Sequence, residues 1–279
     1  MTFATVCLAS VLSLAPHAEE ASAPSAEPGA TPVAESAAPA DAPTPIIPEA
    51  GTARRVGGDL SAVVTRRGEG EDVVYRAGNS VIDTPLPVGY PDPTPPGAID
   101  LKHYPSVRRA EVSGTARDDG SGFWPLFRHI QRRDIAMTSP VEMEYRTVAD
   151  AGDPDAERAA IQREQSRWTM AFLYRKPEQG DTGTDPKDAR VKILDTEPVL
   201  VLSVGMRGEY SRSLIARGER LLDDWLESQP DPASNPALPQ GRWERAGEAR
   251  AFYYNGPSLI QSRKWSEIQV PVRWRSAMP

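Results

Sequence analysis

The chain has 279 residues, with a formal charge of −7, one cysteine and three histidines. One cysteine leaves no internal disulfide framework and no cysteine metal cluster, and no strongly basic stretch provides the electrostatic footprint of a nucleic-acid binder. The acidic excess lies in residues 1–53, which contain six acids and no Lys or Arg; the remainder is close to neutral.

Residues 3–18, FATVCLASVLSLAPHA, form an apolar run followed by small residues. This is the pattern of the h-region and cleavage region of a secretory signal peptide, though without a basic n-region. The expectation is a signal over 1–23 and an exported protein, periplasmic or extracellular. The run is too short for a comfortable membrane span. Cys7 would leave with the signal.

Residues 24–53 are rich in Ala, Pro, Ser and Glu, with Pro24, Pro28, Pro32, Pro39, Pro43, Pro45 and Pro48 and no hydrophobic period. Such a segment buries too little apolar surface to offset its ordering entropy and is expected to be a disordered, proline-stiffened linker. Residues 54–97 are read as an N-terminal extension ending in a strap, TPLPVGYPDPTPPG, whose prolines exclude a helix and a central strand. The compact domain is expected over 98–279.

Within that domain one pattern occurs twice. Ile99–Thr115 reads as a strand. In residues 122–132, Phe123, Leu126, Phe127 and Ile130 recur at helical spacing. Asp134–Thr147 and Arg167–Arg175 alternate as strands, with Met137 on the face of Ile135 and so assigned to the core rather than to a thioether ligand. Glu142 and Glu144 share a strand face and are read as solvated. Pro198–Met206 is a continuous apolar strand. Ser211–Ser228 is a helix whose inner face carries Leu214, Leu221, Leu222, Trp225 and Leu226. Arg250–Tyr254 and Glu267–Trp274 close the pattern, with Pro271 suggesting an edge. Strand–helix–strand–strand, repeated about 100 residues apart, argues an α+β domain of two pseudo-symmetric βαββ halves. Asp153–Arg167 and Lys176–Arg190 read as polar loops.

The segment DIAMTSPV, Asp134–Val141, resembles the "IAMT-x-PV" signature of the SOUL/heme-binding protein family. The likeness extends from Ala98 to Arg275. IDLKHYPSVRRAEVSG resembles the family's opening strand, GFWPLFRHI its first helix, and AFYYNGPSLIQSRKWSEIQVPV its closing motif, through Tyr254, Asn255, Pro257, Arg263 and Glu267. Departures are Gly256 in place of the first proline of "N-P-P", RKWS in place of "R-R-N", and a shortened HIQRR turn. The resemblance implies a distorted antiparallel β-barrel of two βαββ halves with two flanking helices, and binding of heme or another tetrapyrrole in a surface hydrophobic groove.

A tetrapyrrole needs a flat apolar slot, cations for its propionates and, optionally, an axial ligand. Trp124, Leu259 and Ile260 are the candidates for the slot, with Tyr254 and Pro257 beside them. Arg128, Arg132 and Arg133 are the candidate propionate partners, and His129 the candidate axial ligand. The bland alternative is a solvated helix end favoured by the macrodipole, with His129 at the surface. No H-x-x-E-H, G-x-S-x-G or phosphate-loop pattern occurs, so no catalytic constellation is assigned. Two rivals stay open: an effector-type pocket for other amphiphiles or a protein partner, as in the gyrase-inhibitor-like superfamily, and an enzyme modifying a tetrapyrrole through Glu267 or His129. A central acid in the groove would favour the effector-type pocket.

Overall fold

The computed structural model describes residues 45–115, 122–146, 167–231, 234 and 240–276. The signal, most of the linker and the 148–166 insertion lie outside these residues. The strands are β1 (Ala53–Gly58), β2 (Thr65–Arg67), β3 (Val74–Ala77), β4 (Ser80–Ile82), β5 (Ala98–Tyr104), β6 (Arg108–Thr115), β7 (Val141–Arg146), β8 (Arg167–Leu173), β9 (Gly183–Thr184), β10 (Lys192–Asp195), β11 (Val199–Arg207), β12 (Gly241–Arg245), β13 (Arg250–Tyr253) and β14 (Trp265–Ser276). Among the described residues two α-helices, α1 (Phe123–Arg132) and α2 (Arg212–Glu227), accompany them.

Among the described residues one large antiparallel sheet runs in the order β1-β5-β11-β14-β13-β7-β8-β6-β10-β9, with β12 joined to β14 beside this path. A separate three-stranded sheet is ordered β2-β3-β4. The large sheet is open, ending at β1 and β9, and its ladders do not close into the barrel implied by the resemblance. The α+β class and the first βαββ passage, β6-α1-β7-β8, follow the sequence pattern, whereas the second passage carries an additional strand and runs β11-α2-β12-β13-β14. Pro105 interrupts the expected Ile99–Thr115 strand, giving β5 and β6, and Val107 bridges the break by exchanging bonds with Thr196.

Period-two alternation sorts the strand residues onto two cores. Leu101, Leu202, Ala251, Ile268 and Val270 belong to the core under the helices. Tyr104, Val201, Phe252 and Trp265 belong to a second core on the opposite face, completed by Tyr75, Ile82 and Leu86 of the extension and strap. Helix α2 docks on β14 and β11, and its Gly218 permits the close approach: a Cβ there would lie 2.4 Å from Cγ1 of Ile268. Ser211 caps α2 by accepting from the Leu214 amide at 3.2 Å, one of the first-turn donors that the helix itself leaves without a partner. Of the expected inner face, Leu214, Leu222 and Leu226 are buried, whereas Leu221 is exposed; it falls at the margin of the apolar stripe.

Several boundaries differ from expectation. The linker's final residues are packed: Pro48 is buried, its carbonyl meets His103 Nδ1 at 3.2 Å, and the Gly51 amide donates to the His103 carbonyl. The extension is part of the same sheet through the β1–β5 ladder. β14 is not an edge, because it pairs β11 on one side and β13 then β12 on the other. Pro271 is tolerated because the β13 ladder ends at Gln269 and the β12 ladder starts at Val272. The strand expected from Asp134 starts only at Val141, and Met137, expected in the core, is 37% exposed. Thr138 and Ser139 instead hold neighbouring segments: Thr138 donates to the Leu173 carbonyl, and Ser139 donates to the Thr84 carbonyl through Oγ and to the Pro85 carbonyl through its amide.

Candidate functional site

Of the residues first picked for a tetrapyrrole site, His129 and Arg133 line one cavity of about 280 Å³ together with Ile135, Tyr174 and Ile193, whereas Trp124, Tyr254, Pro257, Leu259 and Ile260 line none of the described cavities. Helix α1 packs on β6 and β8, whereas the turn following β13, with the short 3-10 helix Gln261–Arg263, packs against β4 and β11. Trp124 is 60% exposed, in edge contact with Phe123 and Phe127. Arg128, Arg133 and Pro257 are exposed, Ile260 is exposed, and Leu259 is half-buried. Tyr254 is buried on the opposite core, where its hydroxyl donates to Glu267 Oε1 at 2.7 Å.

His129 is not a surface histidine, and both of its ring nitrogens have hydrogen-bond partners. It is 1% exposed, because it lies on the same face of α1 as Leu126 and Ile130. Its Nδ1 faces Asp185 Oδ2 and its Nε2 faces the Tyr174 hydroxyl at 2.6 Å. Asp185 also accepts from Arg132 at 3.1 Å and from the Lys187 amide at 2.6 Å. Burial raises the Asp185 carboxyl, but the bonds from His129, Lys187 and Arg132 outweigh that and hold it well below the usual carboxylate range. The polar loop 176–190, assigned no role from sequence, is thus tied to α1.

The sheet face away from the helices carries buried charge, and Glu267, named above as a possible ligand-facing group, lies there. Glu267 is wholly buried, with Lys102 Nζ at 2.8 and 2.9 Å from its two oxygens. It also accepts from the Thr94 amide at 2.7 Å, Ser203 at 2.6 Å and Gln269 at 2.8 Å. Burial raises its carboxyl, and the Lys102 ammonium with these donors more than offsets the rise, leaving it below its ordinary value. The strap closes over this acid: a Cβ at Gly205 would lie 2.2 Å from the Pro95 carbonyl oxygen, and Trp265 Nε1 donates to the Thr94 carbonyl. Glu267 is therefore central, but saturated and covered.

Glu142, read as solvated, is 1% exposed. Its Oε1 accepts from Arg109 at 2.9 Å and from Arg250 at 3.3 Å. Those partners stand 33 and 108 residues away in the chain, which is why local pattern could not reveal them. Burial pushes Glu142 up, and Arg250 and Arg109 outweigh it.

Among the described residues, a groove with aromatic walls lies elsewhere. Between α2, β1 and β12 a cavity of about 670 Å³ is walled by Trp225, Trp243 and Trp274, with Val56, Leu60 and Leu101 completing its apolar surface. Trp243 and Trp274 meet edge to face at 5.3 Å, and Trp225 is oriented by its Nε1–H donating to the Val56 carbonyl at 3.1 Å. Arg54 and Arg55 line the same cavity. Arg55 is held by Asp100 at 2.5 Å, and Arg54 is exposed.

A family model for the SOUL heme-binding protein matches residues 94–271. The chain belongs to the SOUL heme-binding protein family. No curated protein matches this SOUL chain significantly. Solved structures with a similar arrangement include an EcmrR–DNA complex (12% identity, TM-score 0.44, 64% of this chain and 57% of that one), the EcmrR C-terminal domain (14%, 0.42, 63% and 96%) and a hydrolase from Listeria innocua (12%, 0.41, 65% and 94%). The SOUL chain thus spans little more than half of the EcmrR chain in the DNA complex. These likenesses are too distant to carry any functional argument.

The family implies a tetrapyrrole, and the three-tryptophan groove of this SOUL protein fits the ring and a carboxylate. Its size falls within the range of about 300–1,000 Å³ usual for small-molecule sites, its walls are apolar and aromatic, and guanidiniums stand at its edge. Its lining contains no His, Cys, Met or Tyr to serve as an axial ligand. Among the described residues no cluster of three metal-binding side chains occurs, and no helix is long and apolar enough to cross a membrane.

Proposed function

We propose that this SOUL protein binds heme or a related tetrapyrrole in the groove between α2, β1 and β12, as a carrier that leaves the ligand unchanged. The observation that carries the reading is the convergence of Trp225, Trp243 and Trp274 on one apolar cavity beside Arg54. Flat aromatic walls supply offset and edge-on contact with a planar macrocycle, and Arg54 supplies a planar two-pronged donor for a propionate. Trp225 is fixed in place before binding by Val56 and by Gly57, over which its indole lies, so little side-chain entropy remains to be lost on association. The bound group would supply only its own redox and coordination chemistry; the chain's residues bind and orient it and keep water from its faces.

The experiment is a titration of the full chain with protoporphyrin IX and with hemin, followed by Soret absorption and tryptophan fluorescence. One-to-one saturation with quenching, and recovery of the porphyrin intact, is the expected result. Absence of saturable binding by either ring would overturn the reading. Export, expected from residues 3–18, belongs to the same proposal and is tested by fractionating cells that express the full chain.

A further inference from the structure

The wall of the three-tryptophan groove is unevenly supplied with charge. Its described lining holds two guanidiniums and no carboxylate. Arg55 is largely engaged within the fold: its Nε donates to Asp100 at 2.5 Å, and its Nη1 to the Asp59 and Ala62 carbonyls at 2.9 and 3.0 Å. Gln229 is engaged as well, its Nε2 donating to the Leu226 and Trp243 carbonyls at 3.0 and 2.9 Å and its Oε1 accepting from the Trp243 amide at 2.8 Å. Arg54 is exposed and is the cation of the lining that can turn wholly to a ligand.

The same lining carries two aliphatic side chains that face water. Ile46 is 65% exposed and Leu60 71% exposed, and both border the groove. Neither sits on a slack segment. Around Leu60, the Asp59 amide donates to the Gly97 carbonyl at 2.8 Å, and Asp59 Oδ1 accepts from the Ser61 amide and hydroxyl at 2.9 and 2.6 Å. Arg55 ties the carbonyls on either side of this leucine, at Asp59 and Ala62. Ile46 stands two residues before the buried Pro48, whose carbonyl meets His103 Nδ1. A single exposed aliphatic residue is ordinary on a protein surface. Two on one groove, each presented by an anchored segment, make an apolar margin that the apolar edge of a ligand would cover.

Resting on the tetrapyrrole reading, we infer that the groove selects macrocycles whose carboxylates are gathered on one edge, as in protoporphyrin, over those with carboxylates around the whole ring, as in coproporphyrin and uroporphyrin. The propionate edge meets Arg54, and the vinyl and methyl edge lies against Ile46 and Leu60. A carboxylate on that second edge would meet aliphatic carbon and lose hydration with no donor in return. Discrimination of this kind comes from the group that the wrong ligand leaves desolvated and unpaired, rather than from an extra contact to the right one.

The test is titration of the full chain with protoporphyrin IX, coproporphyrin III and uroporphyrin III, read by tryptophan fluorescence quenching. Coproporphyrin should bind at least about tenfold more weakly than protoporphyrin, by the cost of a desolvated charge without a partner, and uroporphyrin more weakly still. Leu60→Lys and Ile46→Lys, both at exposed positions, each place a cation on the apolar margin. Each should narrow the ratio of protoporphyrin to coproporphyrin affinity about threefold, as a partly exposed ion pair does, with an unchanged melting temperature. The inference is overturned if coproporphyrin or uroporphyrin binds as tightly as protoporphyrin, or if neither lysine variant alters the ratio. In both cases protoporphyrin still saturates, so the carrier reading stands while the selectivity falls. If none of the three porphyrins saturates, the carrier reading itself falls, and the selectivity with it.

Discussion

Lys102 and Glu267 form an ion pair in which neither side chain reaches solvent, with Nζ 2.8 Å from Oε1. The pair joins β5 to β14 across the intervening β11 and stands beneath the strap. Removing one partner leaves a buried charge without compensation. Lys102→Met is expected to lower stability by about 3–5 kcal/mol, and Lys102→Met combined with Glu267→Gln to recover much of the loss. Chemical denaturation of the two variants checks this; equal loss in both would mean that the pairing itself is not what matters.

The same pair sets an acid limit. Glu267 lies below its ordinary value of 4.5 in the folded chain, so the folded state holds the ionised form more strongly than the unfolded state does. Its contribution is fully present above the unfolded value and is lost as pH falls through the folded one. Asp185, lowered in the same direction, adds to this slope. Melting temperature is expected to fall on acidification below about pH 4.5, and less steeply in Glu267→Gln; identical slopes for wild type and variant would reject the assignment.

Asp185→Ala removes the acceptor of both His129 and Arg132 and leaves His129 buried with one nitrogen unmade. The expected loss is about 1–3 kcal/mol, read by thermal melts. Protease cleavage within 176–190 should become faster, since Asp185 is what ties that loop to α1. An unchanged digestion pattern would mean that the loop is held by other contacts.

Gly218→Ala places a methyl group against Ile268 where α2 meets β14, and overpacking of this kind costs about 1–3 kcal/mol. Ser211→Ala removes the α2 cap and should cost about 1 kcal/mol. Both are read from denaturant midpoints. The order of the two effects tests whether the docking of α2 or its capping matters more to the fold.

Much of the fold was legible because it rests on local period. Ser211 and the Leu214, Leu222 and Leu226 stripe marked α2, and the alternation of Ile268, Val270 and Val272 marked β14. Features that depend on remote partners were not legible. Glu142 and Glu144 look alike in sequence; Glu142 is buried because Arg109 and Arg250 arrive from other strands. His129 could have been placed inside from its spacing to Leu126 and Ile130, had the helical face been weighed above the residue type. Met137 was assigned to a strand that begins four residues later, since Thr138 and Ser139 spend their hydrogen bonds on β8 and the strap rather than on a ladder. The candidate groove escaped notice because Trp225, Trp243 and Trp274 come from three elements, one of which, β12, had no recognised pattern.

The most direct test of the central claim compares protoporphyrin IX binding by Trp274→Ala and Trp124→Ala in the full chain, with Arg54→Glu as the electrostatic probe. Trp274 is half-buried at the cavity wall and Trp124 is exposed on α1. Loss of about tenfold or more in affinity for Trp274→Ala, from the apolar area removed, and weakening in Arg54→Glu, with Trp124→Ala unchanged, is the predicted result. Unchanged binding in Trp274→Ala and Arg54→Glu together with loss in Trp124→Ala would contradict it and place the ligand on α1.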